Sequence, residues 1–175
     1  MGIRGRIGTV VLLTAALASA AGARDRSEVG TPRAPGPQEV DVVAVMVDRE
    51  TQQPTVLLQG KRDGRNLAMV IGLAEATGIA VPLQGVTPPR PLTHDLFLTL
   101  FGRLNVSLRR VVIHDLRDDV YYATVHLAAG GTEMALDSRP SDAIALAVRA
   151  KVPVLVEDRV FDKGGALRAP RRPQI

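Results

Sequence analysis

Short apolar, β-branched runs closed by tight polar turns recur in the same order on both sides of one amphipathic helix, and that rhythm leaves few folds open. Val40 to Val47 (VDVVAVMV), interrupted only by Asp41, has the composition of a strand buried on both faces or nearly so. Asp48 to Pro54 reads as its turn and Thr55 to Gln59 as a second strand. The charged turn Gly60 to Arg65 leads to a third strand at Leu67 to Ile71, so the opening reads as an antiparallel meander. Leu73 to Leu83 then switches to helical composition. Gly78 costs that helix about 1 kcal/mol relative to alanine, and Pro82 removes a hydrogen bond, so a kink or early end is expected near Val81.

Gly85 to Pro91 is a loop, and Thr93 stands where a side chain would cap a helix running from His94 to about Leu104. On that helix Phe97, Leu100, Phe101 and Leu104 form one stripe, and Leu96 and Leu98 widen it beyond the roughly 100° that a core-facing stripe needs. The surplus is expected to face a second subunit. The second half repeats the plan, with strands at Arg110 to Leu116, Val120 to Ala128 and Glu133 to Leu136, then a helix from about Pro140 to Lys151. Val152 to Val156 closes the pattern, Pro153 marking it as an edge strand or as the start of one. Two β-β-β-α units therefore flank the central helix, which suggests an internal duplication. The expected fold class is α+β, a mixed or mainly antiparallel sheet packed with helices.

The ends differ from this core. Arg4 and Arg6, an apolar run from Ile7 to Leu17, and the small residues up to Ala23 follow the three-part order of a secretory signal peptide. The run is shorter than the about 20 residues of a membrane span, so residues 1–23 are expected to be cleaved, leaving an exported, periplasmic or extracellular protein without a stable membrane span. Residues 24–38 read as a disordered linker and 163–175 as a basic Pro/Arg tail, which leaves one domain at 39–162. The chain has no cysteine, which excludes disulfides, thiolate metal sites and cysteine nucleophiles. The whole chain carries +4, yet residues 39–162 hold 13 Lys and Arg against 16 Asp and Glu, a net of −3. The folded part therefore has no net field to attract phosphates, and any nucleic-acid binding must rest on a local patch or on the tail.

Three clusters could carry chemistry: Pro89 to Asp95, His114-Asp115, and Asp137 to Ala147. Phosphodiester cleavage needs a general acid or base, positive charge for the phosphate and a positioned nucleophile. His94, Arg139 and the carboxylates of Asp95 and Asp142 are the right types, with Arg90, Thr93 and Ser141 beside them as anion-binding candidates. The first and last clusters open helices, where backbone N–H groups and the positive dipole end hold anions. Helix capping is the competing reading for Thr93, Asp95, Ser141 and Asp142, a structural ion pair the competing one for Arg139. His114 and His126 lie in strands and read as structural. Asp95, Asp137 and Asp142 could offer oxygen ligands to Mg²⁺ or Mn²⁺, but no acidic triad spacing assigns a metal site.

Pro89 to Leu96 (PRPLTHDL), Val111 to Leu116 (VVIHDL), Tyr121 to Leu127 (YYATVHL) and Asp137 to Arg149 (DSRPSDAIALAVR) together resemble the bifunctional nuclease domain family. The resemblance covers about Val42 to Phe161. It implies an α+β domain, frequently oligomeric, with cleavage of DNA and RNA reported for some members. Glu75, His94, Asp95, Asp115, Asp137, Arg139, Ser141 and Asp142 match the family's polar pattern. The chain departs from it at Thr77-Gly78 and Pro82, in its export-like start, and in showing no counterpart of the coiled extension with which some members end.

The leading expectation is a nuclease of low sequence specificity, with His94 as general acid/base, Asp95 and Asp142 positioning it or holding a metal, and Arg139 stabilising phosphate. Two alternatives stay open. One is a non-catalytic anion-binding or assembly module, a homodimer built on the central helix; the other is an enzyme acting on a small phosphorylated or acidic metabolite.

Overall fold

The computed structural model describes residues 36–49 and 51–166. The expected signal peptide, most of the linker and the end of the tail lie outside them. The strands are β1 (Gln38–Val47), β2 (Pro54–Gly60), β3 (Asn66–Val70), β4 (Val106–Arg117), β5 (Val120–Ala129), β6 (Thr132–Ser138) and β7 (Val154–Val156). The helices are α1 (Leu73–Leu83), α2 (Thr93–Arg103), α3 (Pro140–Ala150) and α4 (Asp158–Ala166).

All seven strands form one sheet in the order β3-β2-β1-β7-β4-β5-β6. Only β4 and β7 pair in parallel; the other neighbours are antiparallel. The α+β architecture is the one the sequence predicts. The two meanders flank β7, and the order mirrors itself about that strand; duplication is a statement of ancestry that order alone does not carry. Tight turns set the registers in the second meander. Asp118 and Asp119 join β4 to β5, and Gly130 and Gly131 join β5 to β6, all at positive φ, the two-residue geometry that matches the natural strand twist.

Cross-strand partners share a face, so the registers show where the core sits. Val40 of β1 pairs with Val154, Val154 with Val111, and Val111 with Val125; Leu58 pairs with Leu67 and Val56 with Met69. All eight are buried on one face, where Ile79 of α1, Ala143, Ile144 and Ala147 of α3, and Val160 and Phe161 of α4 close over them. The opposite face is only partly covered: Glu39, Asp41 and Val70 are exposed, Val112 and Leu155 half-buried. That corrects the expectation of a β1 buried on both faces. Val40, Val42 and Val45 pack on the core while Val43 and Val47 are about half exposed, and β-branching suits a pleated surface whether or not both sides are buried.

Three further expectations change. Of the two readings of Pro153, the strand's beginning holds and the edge does not: β7 starts at Val154, two residues later than expected, and is central in the sheet. The helix α1 continues through Pro82 to Leu83. Proline at 82 leaves the Gly78 carbonyl without its usual helical donor, and the buried guanidinium of Arg149 donates to that carbonyl instead. Last, α4 has no counterpart in the sequence reading, and it runs past residue 162. Val160 and Phe161 bury against the sheet, Arg65 lies over the Phe161 ring at 4.4 Å, and Lys163 Nζ donates to Asp115 Oδ1 at 2.8 Å.

Candidate active site

The starts of α1, α2 and α3 and the end of β6 converge on a cavity of about 700 Å³. Helix α1 approaches α3 closely because residue 78 is glycine: a Cβ there would lie 3.8 Å from the Ala145 Cβ, and only 3.0 Å from Cε1 and 3.2 Å from Nδ1 of His94. The imidazole therefore occupies space that any other residue at 78 would contest. His94 is largely buried, its side chain 15% exposed, and its Nε2 lies 3.5 Å from Oδ1 of Asp142.

Asp142 also accepts from Arg139, Nε to Oδ2 at 2.6 Å and Nη2 to Oδ1 at 3.1 Å. The third nitrogen of that guanidinium, Nη1, lies 2.8 Å from Glu75 Oε1. The result is a continuous chain, Glu75–Arg139–Asp142–His94, across one wall. The Asp142 carboxylate first, then that of Glu75, raises the Arg139 pKa above its ordinary value, so the guanidinium is a fixed positive charge. Its side chain is 64% exposed, which leaves its outer face open to a ligand.

The candidates divide cleanly. His94, Thr93, Arg139 and Asp142 line the cavity. Arg90 is exposed in the loop before α2 and does not line it. Ser141 is buried within the first turn of α3 and does not line it either. No side chain caps α3, and α2 begins at Thr93 itself with Leu92 as its N-cap, so capping explains neither Thr93 nor Ser141 nor Asp142. It does explain Asp95. Its Oδ2 accepts the Leu92 N–H at 2.8 Å and its Oδ1 accepts from Arg149 Nε at 2.8 Å. Burial opposes its ionisation, but these two donors prevail and hold the carboxyl below the ordinary aspartate value.

Asp115, in the family-like pattern, is buried outside the cavity. Lys163 above all, with Arg117, holds its carboxyl far below the ordinary range. His126 lies 2.9 Å from Glu133 Oε1 and 3.1 Å from Arg110 Nη2, a cross-strand triad in keeping with a structural role.

Sequence reasoning missed the apolar wall. Phe97, Phe101, Val125, Leu136 and Leu146 also line the cavity, and the Phe97 and Phe101 rings sit 6.3 Å apart at 58°. The available signal on α2 was Phe97 and Phe101, one turn apart on its main stripe. With Glu75, Asp137 and Asp142 against Arg139, the charged wall carries more negative than positive charge. Among the described residues, no three His, Asp or Glu side chains gather as a metal-binding group, so the residues present do not form a ready cage for Mg²⁺ or Mn²⁺.

The family pattern of the bifunctional nuclease domain matches residues 56–168. An uncharacterised protein of Mycobacterium tuberculosis (strain H37Rv) is 41% identical over 129 residues, 74% of this chain and 77% of its own length. Bifunctional nuclease 1 of Oryza sativa subsp. japonica is 33% identical over 108 residues, 59% of this chain and 33% of the rice protein. Bifunctional nuclease 2 of Arabidopsis thaliana is 26% identical over 122 residues, 55% of this chain and 37% of that protein. The chain thus spans about a third of the length of these plant nucleases. With this match over more than half of its length and the 41% identity to the mycobacterial protein, the chain belongs to the bifunctional nuclease domain family.

Proposed function

We propose that the cavity is the centre of a nuclease of low sequence specificity that hydrolyses phosphodiester bonds in DNA and RNA. The observation that carries this reading is the His94–Asp142 pair, with Arg139 bound to the same carboxylate at the cavity wall. DNA has no 2′-hydroxyl, so a centre that cuts both polymers cannot rely on that group, and water activated by His94 is the nucleophile of this reading. His94 takes a proton from that water as its oxygen bonds to phosphorus, and the P–O bond to the leaving oxygen breaks. Asp142 orients the imidazole and offsets its gained charge, while Arg139 stabilises the charge growing on the phosphoryl oxygens. The proton held by His94 then leaves with the departing alkoxide. No step here runs through a metal ion.

The test is incubation of the chain with single-stranded RNA and single-stranded DNA, each with Mg²⁺, with Mn²⁺ and with EDTA. Cleavage of both polymers is expected. Cleavage of RNA alone would point to attack by the 2′-hydroxyl and overturn the water mechanism, and no cleavage in any arm would overturn the nuclease reading.

One observation favours a second reading, a non-catalytic anion-binding module that assembles as a homodimer. None of the residues of α2 is fully buried, and Leu96, Phe97 and Leu100 on it and Leu104 at its C-cap are exposed. Export of the protein is proposed separately, from the order of residues 1–23 alone; among the described residues no helix is long and apolar enough to cross a membrane.

A further inference from the structure

The same cavity has a second wall, and the catalytic reading leaves it unused. Phe97 and Phe101 on α2, Leu136 on β6, Val125 on β5 and Leu146 on α3 line the cavity together with the charged chain. Phe97 and Leu136 are about half exposed, 48% each, so the wall is open to an occupant instead of being filled from within the core. Whatever enters this space meets both an aromatic and aliphatic surface and Arg139. A flat apolar group joined to an anion satisfies both.

Resting on the nuclease reading, we propose that Phe97, backed by Phe101, forms a stacking subsite for one nucleobase next to the scissile phosphate. The substrate is thereby restricted to unpaired nucleic acid. A paired base within a duplex has both faces covered by its neighbours, and entry into a side cavity requires unstacking and unpairing it, which is least costly in a single strand. Stacking on an aromatic ring ignores base identity, because every base has a π-face. The subsite therefore accounts for low sequence specificity together with a preference for strand state. The tilt of the two rings leaves Phe97, the more exposed, as the stacking platform and Phe101, only partly exposed, as its support.

The experiment compares two minimal substrates for the full chain, each with a single phosphodiester bond: a dinucleotide, and its counterpart with one base replaced by hydrogen, tested in both base positions. Wild type, Phe97→Ala and Phe97→Tyr are assayed, with a duplex and a single strand of the same sequence alongside. Stacking predicts that wild type cleaves the full dinucleotide about tenfold or more better in kcat/KM than one of the two abasic forms. Phe97→Ala should lose that advantage, its kcat/KM for the full dinucleotide falling to that for the abasic form. Phe97→Tyr should keep it, and the single strand should be cut faster than the duplex.

Equal rates on full and abasic substrates, or equal rates on duplex and single strand, would overturn the subsite while leaving the nuclease standing. No cleavage of any substrate by wild type would instead remove the reading on which the subsite rests, and the subsite with it. Light scattering on the same samples adds one more outcome: if Phe97→Ala converts a dimer to a monomer, this wall is covered by a second copy of the chain and the base subsite is refuted.

Discussion

At Gly78 the absence of a side chain lets three structures meet: α3 approaches through Ala145, His94 seats its ring against the helix, and the bare carbonyl receives Arg149. Alanine is the better helix former by about 1 kcal/mol, yet its Cβ would press on His94 at 3.0 Å. Gly78→Ala should therefore leave urea stability close to wild type while lowering cleavage by about tenfold or more, since a small misplacement of a reacting group is enough for such a loss. Asp115 carries a different prediction. Lys163 first, then Arg117, depresses its folded pKa, so its contribution to stability is complete above the ordinary carboxylate value near pH 4 and is lost as pH falls through the lowered folded value. Urea midpoints should fall from neutral pH to pH 3, and Asp115→Asn should be less stable at pH 7 with a flatter acid dependence. His94, Arg139 and Asp142 were legible in the sequence because they cluster within short segments at helix starts. Asp95 has the same local look, but its role depends on Arg149, 54 positions away, and no local pattern reports that.

Among the elements, α1 shows how a local defect becomes a tertiary contact. The proline that should end the helix frees a carbonyl, and the side chain of Arg149, 6% exposed, joins α1, Asp95 at the start of α2, and Ala145 O of α3 at 3.0 Å. Arg149→Met should destabilise the fold by about 2 kcal/mol, the cost of stranding part-buried acceptors. Pro82→Ala returns an N–H to Gly78, so the same Arg149→Met change should cost less in that background. Equal costs in the two backgrounds, measured by urea unfolding, would mean that the freed carbonyl is not what Arg149 serves. Helix α4 marks the opposite limit of legibility. It is short and charged, and its partners Arg65, Tyr121 and Asp115 come from distant segments, so its sequence alone gave no sign of it. The α2 stripe was readable as too wide for a core helix; that its two phenylalanines would line a cavity was not, because the rest of the apolar lining comes from β5, β6 and α3.

For the whole molecule, one sheet with its core on a single face brings two far-separated helix starts together, and this is what turns two motifs into one site. The strand runs and turns made the α+β class readable, whereas the central place of β7 depends on pairing with β1 and β4 that no local pattern encodes. The folded part carries a net of −3 over residues 39–162, so phosphate must be met locally by Arg139 and not by a broad field. The most direct measurement is the rate at which the full chain cleaves single-stranded RNA and DNA, beside His94→Ala and Arg139→Ala variants shown by circular dichroism to be folded. Wild type is expected to cleave both polymers, with losses of about a hundredfold or more for His94→Ala and for Arg139→Ala. Wild-type rates in both folded variants would contradict this and place the chemistry outside this cavity.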